Sequence, residues 1–172
     1  MSLDAQTLVK RFRGTKLRSI LDTLEAEHGV GLDDKFIESY RCSVEVLFRN
    51  ELTACDGVEE TLSRLDKAMC VASNGPMNKM LLALEVTGLG AYFGNNLFSA
   101  YQVKAWKPSP DLFLHAAKTM GFSPEECLVV EDSIIGIDAA ISAGMEAVLY
   151  DPKNLHEDIN GLLKVRHFTE LL

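Results

Sequence analysis

From Asp56 onward, short apolar runs alternate with helix-length segments punctuated by Gly and Pro. No other feature of the chain constrains the fold as tightly. A strand that returns to the same sheet through a helix of ten or so residues pairs in parallel, so the expected architecture is α/β, a parallel sheet with helices on both faces. The predicted strands are residues 68–72, 96–99, 127–130 and 147–150, the second of them weak. Asp56-Gly57-Val58-Glu59 has capping-box spacing and opens a helix through Leu65. Pro76 suits the first turn of a helix carrying Met80, Leu81, Leu84 and Val86. Ser109-Pro110 precedes a helix over 111–120, Ser123-Pro124-Glu125-Glu126 reads as another capping box, and a helix over 134–143 stops at Gly144.

Residues 4–52 carry no strand pattern. Leu8, Val9 and Phe12 form one stripe. Leu17, Ile20, Leu21 and Leu24 recur at helical spacing before Gly29, and Phe36, Ile37, Tyr40, Val44, Leu47 and Phe48 mark a third helix behind Asp33-Asp34. The expected organisation is a small helical layer, 4–52, ahead of an α/β core, 56–172.

The net charge is −8 with pI about 5.0, which argues against nucleic acid or an anionic membrane as the main partner. A small anion remains compatible, because one lysine and one metal override the global field locally. No apolar run spans a bilayer and the N-terminus lacks a signal-peptide core. Cys42, Cys55, Cys70 and Cys127 include no C-x-x-C pair, so a reducing, cytoplasmic setting is expected.

The chemistry concentrates in three places. In Leu128-Val129-Val130-Glu131-Asp132-Ser133-Ile134-Ile135-Gly136, an apolar strand runs into two adjacent carboxylates and then a helix. Adjacent acids at the end of a buried strand repel and are costly to desolvate. A Mg²⁺ ion, which takes one or two carboxylates plus phosphate oxygens, relieves that cost. The alternative is an acidic helix start. Ser73, Asn74 and Gly75 end a strand and precede Pro76, where a hydroxyl and backbone N–H groups can cradle phosphate or simply cap a helix. Lys107, stiffened by Pro108 and Pro110, is presented on a rigid stem, suited to hold a phosphoryl group rather than trail into solvent. Strand carboxyl ends in such sheets line the ligand crevice, so the three can converge. Arg11, Arg13, Lys16 and Arg18 cluster around Gly14, either gripping an anion or forming a solvated face.

These residues resemble the haloacid-dehalogenase superfamily of phosphatases, in the branch with a small helical cap. Ser73 matches the family's second motif, Lys107 with Pro108 and Pro110 the third, and Glu131-Asp132-Ser133 with Gly136 the fourth. Lys10-Arg11-Phe12-Arg13-Gly14, Glu27-His28-Gly29-Val30, Val71 to Pro76 and Trp106-Lys107-Pro108 resemble the bacterial members of that branch that act on 6-phosphogluconate. The resemblance implies a Rossmann-like core with a partial helical cap, and a Mg²⁺-dependent phosphatase acting on a small sugar or sugar-acid phosphate. It implies that Ser73, Asn74, Gly75 and Lys107 bind phosphate, with Ser73 and Lys107 catalytic. It places Glu131 and Asp132 on the metal, and Arg13, Gly14, Thr15 and Lys16 on the substrate.

One family feature is absent. The family's nucleophile lies in Asp-x-Asp-Gly-Thr at the end of a first strand that sits mid-sheet, and no Asp-x-Asp occurs in these 172 residues. The chain as written is therefore expected to be inactive, with a missing central strand. The gap is filled by another chain, or closed by its neighbours, or the sequence is a fragment of a longer gene product, and exposed strand edges would suit self-association. A phosphomutase of the same superfamily and a non-catalytic interaction module are the alternative readings.

Overall fold

The computed structural model describes residues 4–156, Ile159 and 161–172. Helices α1 (Ala5–Phe12), α2 (Leu17–His28) and α3 (Asp34–Glu51) come first. Asp4 and Asp33 cap α1 and α3 by accepting the N–H groups of Thr7 and Phe36, each at 2.9 Å. Within this layer α2 buries Leu21 and Leu24, whereas no residue of α1 or α3 is buried. α3 lies along α5 (Met77–Thr87) of the core; the Lys79 ammonium sits 5.2 Å from the Phe48 ring centroid and Arg49 lies 3.7 Å from Glu85.

The remaining elements alternate as expected. They are α4 (Val58–Arg64), β1 (Val71–Ser73), α5, α6 (Gly90–Phe93), β2 (Leu97–Ser99), α7 (Ala100–Val103), α8 (Asp111–Met120), β3 (Leu128–Glu131), α9 (Ile134–Ser142), β4 (Glu146–Tyr150) and β5 (Leu163–Val165). Every strand pair is parallel. The sheet, however, is in two pieces, β1–β2 and β3–β4–β5. Ala72 is registered with Phe98 in the first piece, and Val130 with Val148 and then Leu163 in the second.

Helix α8 bridges the break. Its Phe113 and Ala117 pack with Val129, Ala139 and Ala140, while its Leu112 and Ala116 pack with Phe98 and Ala100. These are two i, i+4 pairs on adjoining stripes of one helix, so α8 serves both halves of the sheet. Ala72 of β1 touches both clusters.

Local expectations differ from the structure at several points. β1 begins at Val71, not at 68, because only from Val71 does a partner strand supply hydrogen bonds: its N–H bonds the Asn96 carbonyl at 3.0 Å. The Asp56–Glu59 segment forms no capping box. The cap is Gly57 at φ 75°, with no side chain capping the helix. A Cβ there would lie 2.2 Å from the His167 ring, so tertiary contact selects glycine. Ser123–Glu126 does form the box, but around a single 3₁₀ turn. The short β5, α6 and α7 are too brief to show a periodicity.

Candidate functional site

Ser73 and Glu131 end β1 and β3, which belong to separate pieces of the sheet; α8 packs on both pieces, and side-chain ties across the break bring the strand carboxyl ends to one rim. Asn74, just past β1, stitches the rim together. Its side-chain oxygen accepts the Lys107 N–H at 2.9 Å, and its Nδ2 donates to the carbonyls of Lys107 at 3.2 Å and Gly14 at 2.8 Å. One amide thus binds the Lys107 loop to both β1 and the turn after α1.

The Lys107 ammonium pairs with the Glu131 carboxylate, and both side chains are nearly buried, 8% and 10% exposed. The same ammonium lies 4.7 Å from the Phe113 ring centroid, a cation–π contact from α8. Ser133 caps α9 and also donates to the second Glu131 oxygen at 3.3 Å. Gly136 in the first turn of α9 makes room: a Cβ there would lie 2.2 Å from Glu131 Cδ. The Glu131 carboxylate is therefore held from three sides.

Asp132 takes Arg13 from the helical layer, with Nη2 at 2.6 Å and Nε at 3.0 Å from one oxygen, and remains half exposed. Gly14, at φ 79°, lets the turn approach closely; a Cβ would lie 2.9 Å from Ser133 Oγ. The Thr15 N–H closes the turn on the Phe12 carbonyl at 3.0 Å. Lys16 lies 3.8 Å over the Trp106 ring, beside the Lys107 loop. Ser73 Oγ accepts the Gly75 N–H at 3.0 Å, and the Gly75 carbonyl accepts Ser99 Oγ at 2.7 Å. The predicted residues Arg13, Gly14, Lys16, Ser73, Asn74, Gly75, Lys107, Glu131 and Asp132 therefore share one rim.

The basic cluster does not act as a unit. Arg11 pairs with Glu27, and Arg18 with Asp22 and Glu25, inside the helical layer; only Arg13 and Lys16 reach the core. Sequence reasoning missed Ser99, which props the Gly75 turn, and Phe113, whose apolar spacing marks only a core helix.

The rim pairs its two acids, Glu131 and Asp132, with Lys107 and Arg13, and a third cation, Lys16, lies over Trp106. Among the described residues no cluster of three or more His, Cys, Asp or Glu side chains forms a ready metal cage. The donor set still fits a hard cation such as Mg²⁺, which keeps most of its shell as water and substrate oxygens and needs only one or two carboxylates. Asp132, half exposed beside Glu131, is the available donor.

Residues 2–144 match the sequence profile of the haloacid dehalogenase-like hydrolases. The chain belongs to that family. It is 43% identical over 177 residues to the 6-phosphogluconate phosphatase of Escherichia coli, an alignment covering 99% of this chain and 80% of that protein. The fructose-1-phosphate phosphatase YqaB, also from E. coli, is 40% identical over 97 residues, or 56% of this chain and 50% of that one. Among solved structures of the family, a Deinococcus radiodurans hydrolase with bound phosphate and sodium superposes with a TM-score of 0.72 at 28% identity, covering 99% of this chain and 80% of that one. As a family member this chain is an enzyme-class fold, and no described helix is long and apolar enough to cross a membrane.

Proposed function

We propose that this rim is the phosphate- and metal-binding part of a Mg²⁺-dependent phosphomonoesterase site for a small sugar or sugar-acid phosphate such as 6-phosphogluconate. The observation that carries the reading is the Asn74 amide, which ties the Ser73 turn, the Lys107 loop and the Arg13-Gly14 turn together beside Glu131 and Asp132. Ser73 Oγ and the Gly75 turn receive the phosphoryl oxygens. Lys107, buried against Glu131 and Phe113, offsets their charge from a fixed position, so little reorganisation is needed when an anion arrives. Arg13, Gly14, Thr15 and Lys16 approach from the helical layer, read here as a partial cap over 4–52 against a core over 56–172, and select the substrate.

Asp132 would hold Mg²⁺ with Glu131 behind it, and the bound ion would neutralise phosphoryl charge. Arg13 must release Asp132 as it does so, which frees the guanidinium for the substrate's own anionic groups. The full nucleophilic step needs a carboxylate that Asp-x-Asp supplies in the family and these 172 residues do not. We therefore expect binding without turnover from this chain. Unpaired thiols at all four cysteines suit the cytoplasm.

The test is calorimetry of the purified chain with 6-phosphogluconate and fructose 1-phosphate, in Mg²⁺ or EDTA, beside a phosphate-release assay. Mg²⁺-dependent binding that Lys107→Met abolishes is expected. Binding that ignores both the metal and Lys107 would refute the proposal, and sustained phosphate release would refute the expectation of inactivity.

A further inference from the structure

A second hollow opens beside the rim, and its walls are cationic. It measures about 170 Å³ and lies between the end of α1, the start of α9 and the segment after β4. Lys10, Arg11 and Arg13 reach it from the last turn of α1 and its C-cap. Two of these cations are matched, Arg11 by Glu27 and Arg13 by Asp132. Lys10 has no acidic partner among the described residues.

The first turn of α9 forms another wall, through Ile134 and Ile135. It carries no acidic side chain, and the N–H groups of both isoleucines lack a hydrogen-bond partner among the described residues. Free N–H groups at a helix start carry partial positive charge. The last wall is His156. Its N–H donates to Asp151 at 3.0 Å and its carbonyl accepts the Lys164 ammonium at 3.2 Å, so the residue is pinned by its backbone. Its Nε2 is buried without a hydrogen-bond partner among the described residues. A buried polar atom left unpaired calls for a partner.

We propose that this hollow is an oxyanion site for one carboxylate or phosphate group, distinct from the Ser73–Lys107 cradle. The unmatched groups on its walls are the Lys10 ammonium, two backbone N–H groups and an imidazole. The imidazole donates from Nε2 in one neutral tautomer and when protonated. The acids that touch wall residues are already bound: Glu27 to Arg11, Asp132 to Arg13, and Glu131, which takes the Ser133 hydroxyl, to Lys107. A cation therefore finds no free carboxylate there. Size sets the ligand class. Whole small-molecule sites run to ~300 Å³ or more, so this hollow admits one oxyanion group rather than a complete hexose phosphate. It shares Arg13 and Ser133 with the rim. The anion is thus either the second anionic group of a ligand whose phosphate lies on the rim, or a free anion. Only the first source rests on the phosphatase reading.

The test is nuclear magnetic resonance of the isotope-labelled chain at constant ionic strength. The probes are inorganic phosphate, gluconate, 6-phosphogluconate and sorbitol 6-phosphate, which keeps the open chain and phosphate but replaces the carboxylate with a hydroxymethyl group. The Ile134 and Ile135 amides and the His156 ring nitrogens report the hollow. The Gly75 and Lys107 amides report the rim. The expected result is saturable movement of the hollow's signals that added chloride does not reproduce. Lys10→Met, at an exposed position, should weaken it about fivefold, the worth of one exposed charge contact. If the anion is a ligand's second group, 6-phosphogluconate moves both sets of signals with one affinity, roughly tenfold tighter than sorbitol 6-phosphate. If it is a free anion, gluconate or phosphate moves the hollow's signals with an affinity of its own. Movement in the hollow with a silent rim would fail the phosphatase reading and leave this site standing. Hollow signals that none of the probes moves, or shifts that Lys10→Met leaves unchanged, overturn the proposal.

Discussion

Lys107→Met tests whether the rim is an electrostatic unit or a collection of contacts. The side chains of Lys107 and Glu131 are 8% and 10% exposed, so water does little to screen either charge. Methionine keeps most of the lysine stem against Phe113 and deletes the ammonium. Glu131 is then left buried with only the Ser133 hydroxyl as a donor. Breaking one side of a buried pair costs about 3–5 kcal/mol, because the survivor is uncompensated. That is a large part of the ~5–15 kcal/mol that holds a typical domain together. At about 2–4 °C per kcal/mol for a chain of this size, Tm should fall by roughly 6–20 °C. The assay is urea and thermal denaturation followed by circular dichroism, on Lys107→Met, Glu131→Gln and the double variant. If the pair acts as a unit, the double variant costs at least about 2 kcal/mol less than the sum of the singles. Strict additivity, or a Lys107→Met cost under about 1 kcal/mol as for an exposed pair, would refute the reasoning.

Other outcomes follow from the same geometry. Gly136→Ala should cost about 1–3 kcal/mol by urea denaturation, because its methyl would displace the pinned Glu131 carboxylate. Gly57→Ala should be similarly damaging, since the backbone is left-handed and the His167 ring fills the space, whereas Gly29→Ala meets only the backbone strain of roughly 1 kcal/mol. Arg13→Met should change stability by under about 1 kcal/mol, because its partner Asp132 is half exposed, yet should alter ligand binding measured by calorimetry. For Asp151, burial pushes the carboxyl up, but the N–H groups of His156 and Leu155 outweigh it and hold it below its ordinary value. Its stabilisation is thus present above the usual carboxylate range near pH ~3.9 and is lost as pH falls through the lower folded value. Asp151→Asn should therefore be less stable than the parent at neutral pH, with the gap in urea midpoint shrinking on acidification.

Much of this molecule is written in local pattern. The strand-helix alternation after Asp56 dictates a parallel sheet, because short connections through helices leave no other closure. The carboxyl ends of those strands then place Ser73 and Glu131 on one rim. Lys107 just ahead of Pro108 and Pro110, and the paired acids just past an apolar strand, were legible because charge at the end of a buried strand calls for a partner or a ligand. What periodicity could not carry was distance. That Arg13 and Lys16 reach the core while Arg11 and Arg18 turn to acids of their own layer depends on where α1 and α2 dock. That Asn74 ties its own turn to two other segments, or that Gly57 yields to an imidazole more than a hundred residues away, depends on contacts no local window contains. The break between β1 and β3 was expected from the missing Asp-x-Asp strand, but whether the flanking strands would close up across it was not. Residue patterns specify strands one at a time, but hydrogen bonds between strands exist only once the chain has assembled, and the assembled backbone decided that β1 and β3 stand beside one another unpaired.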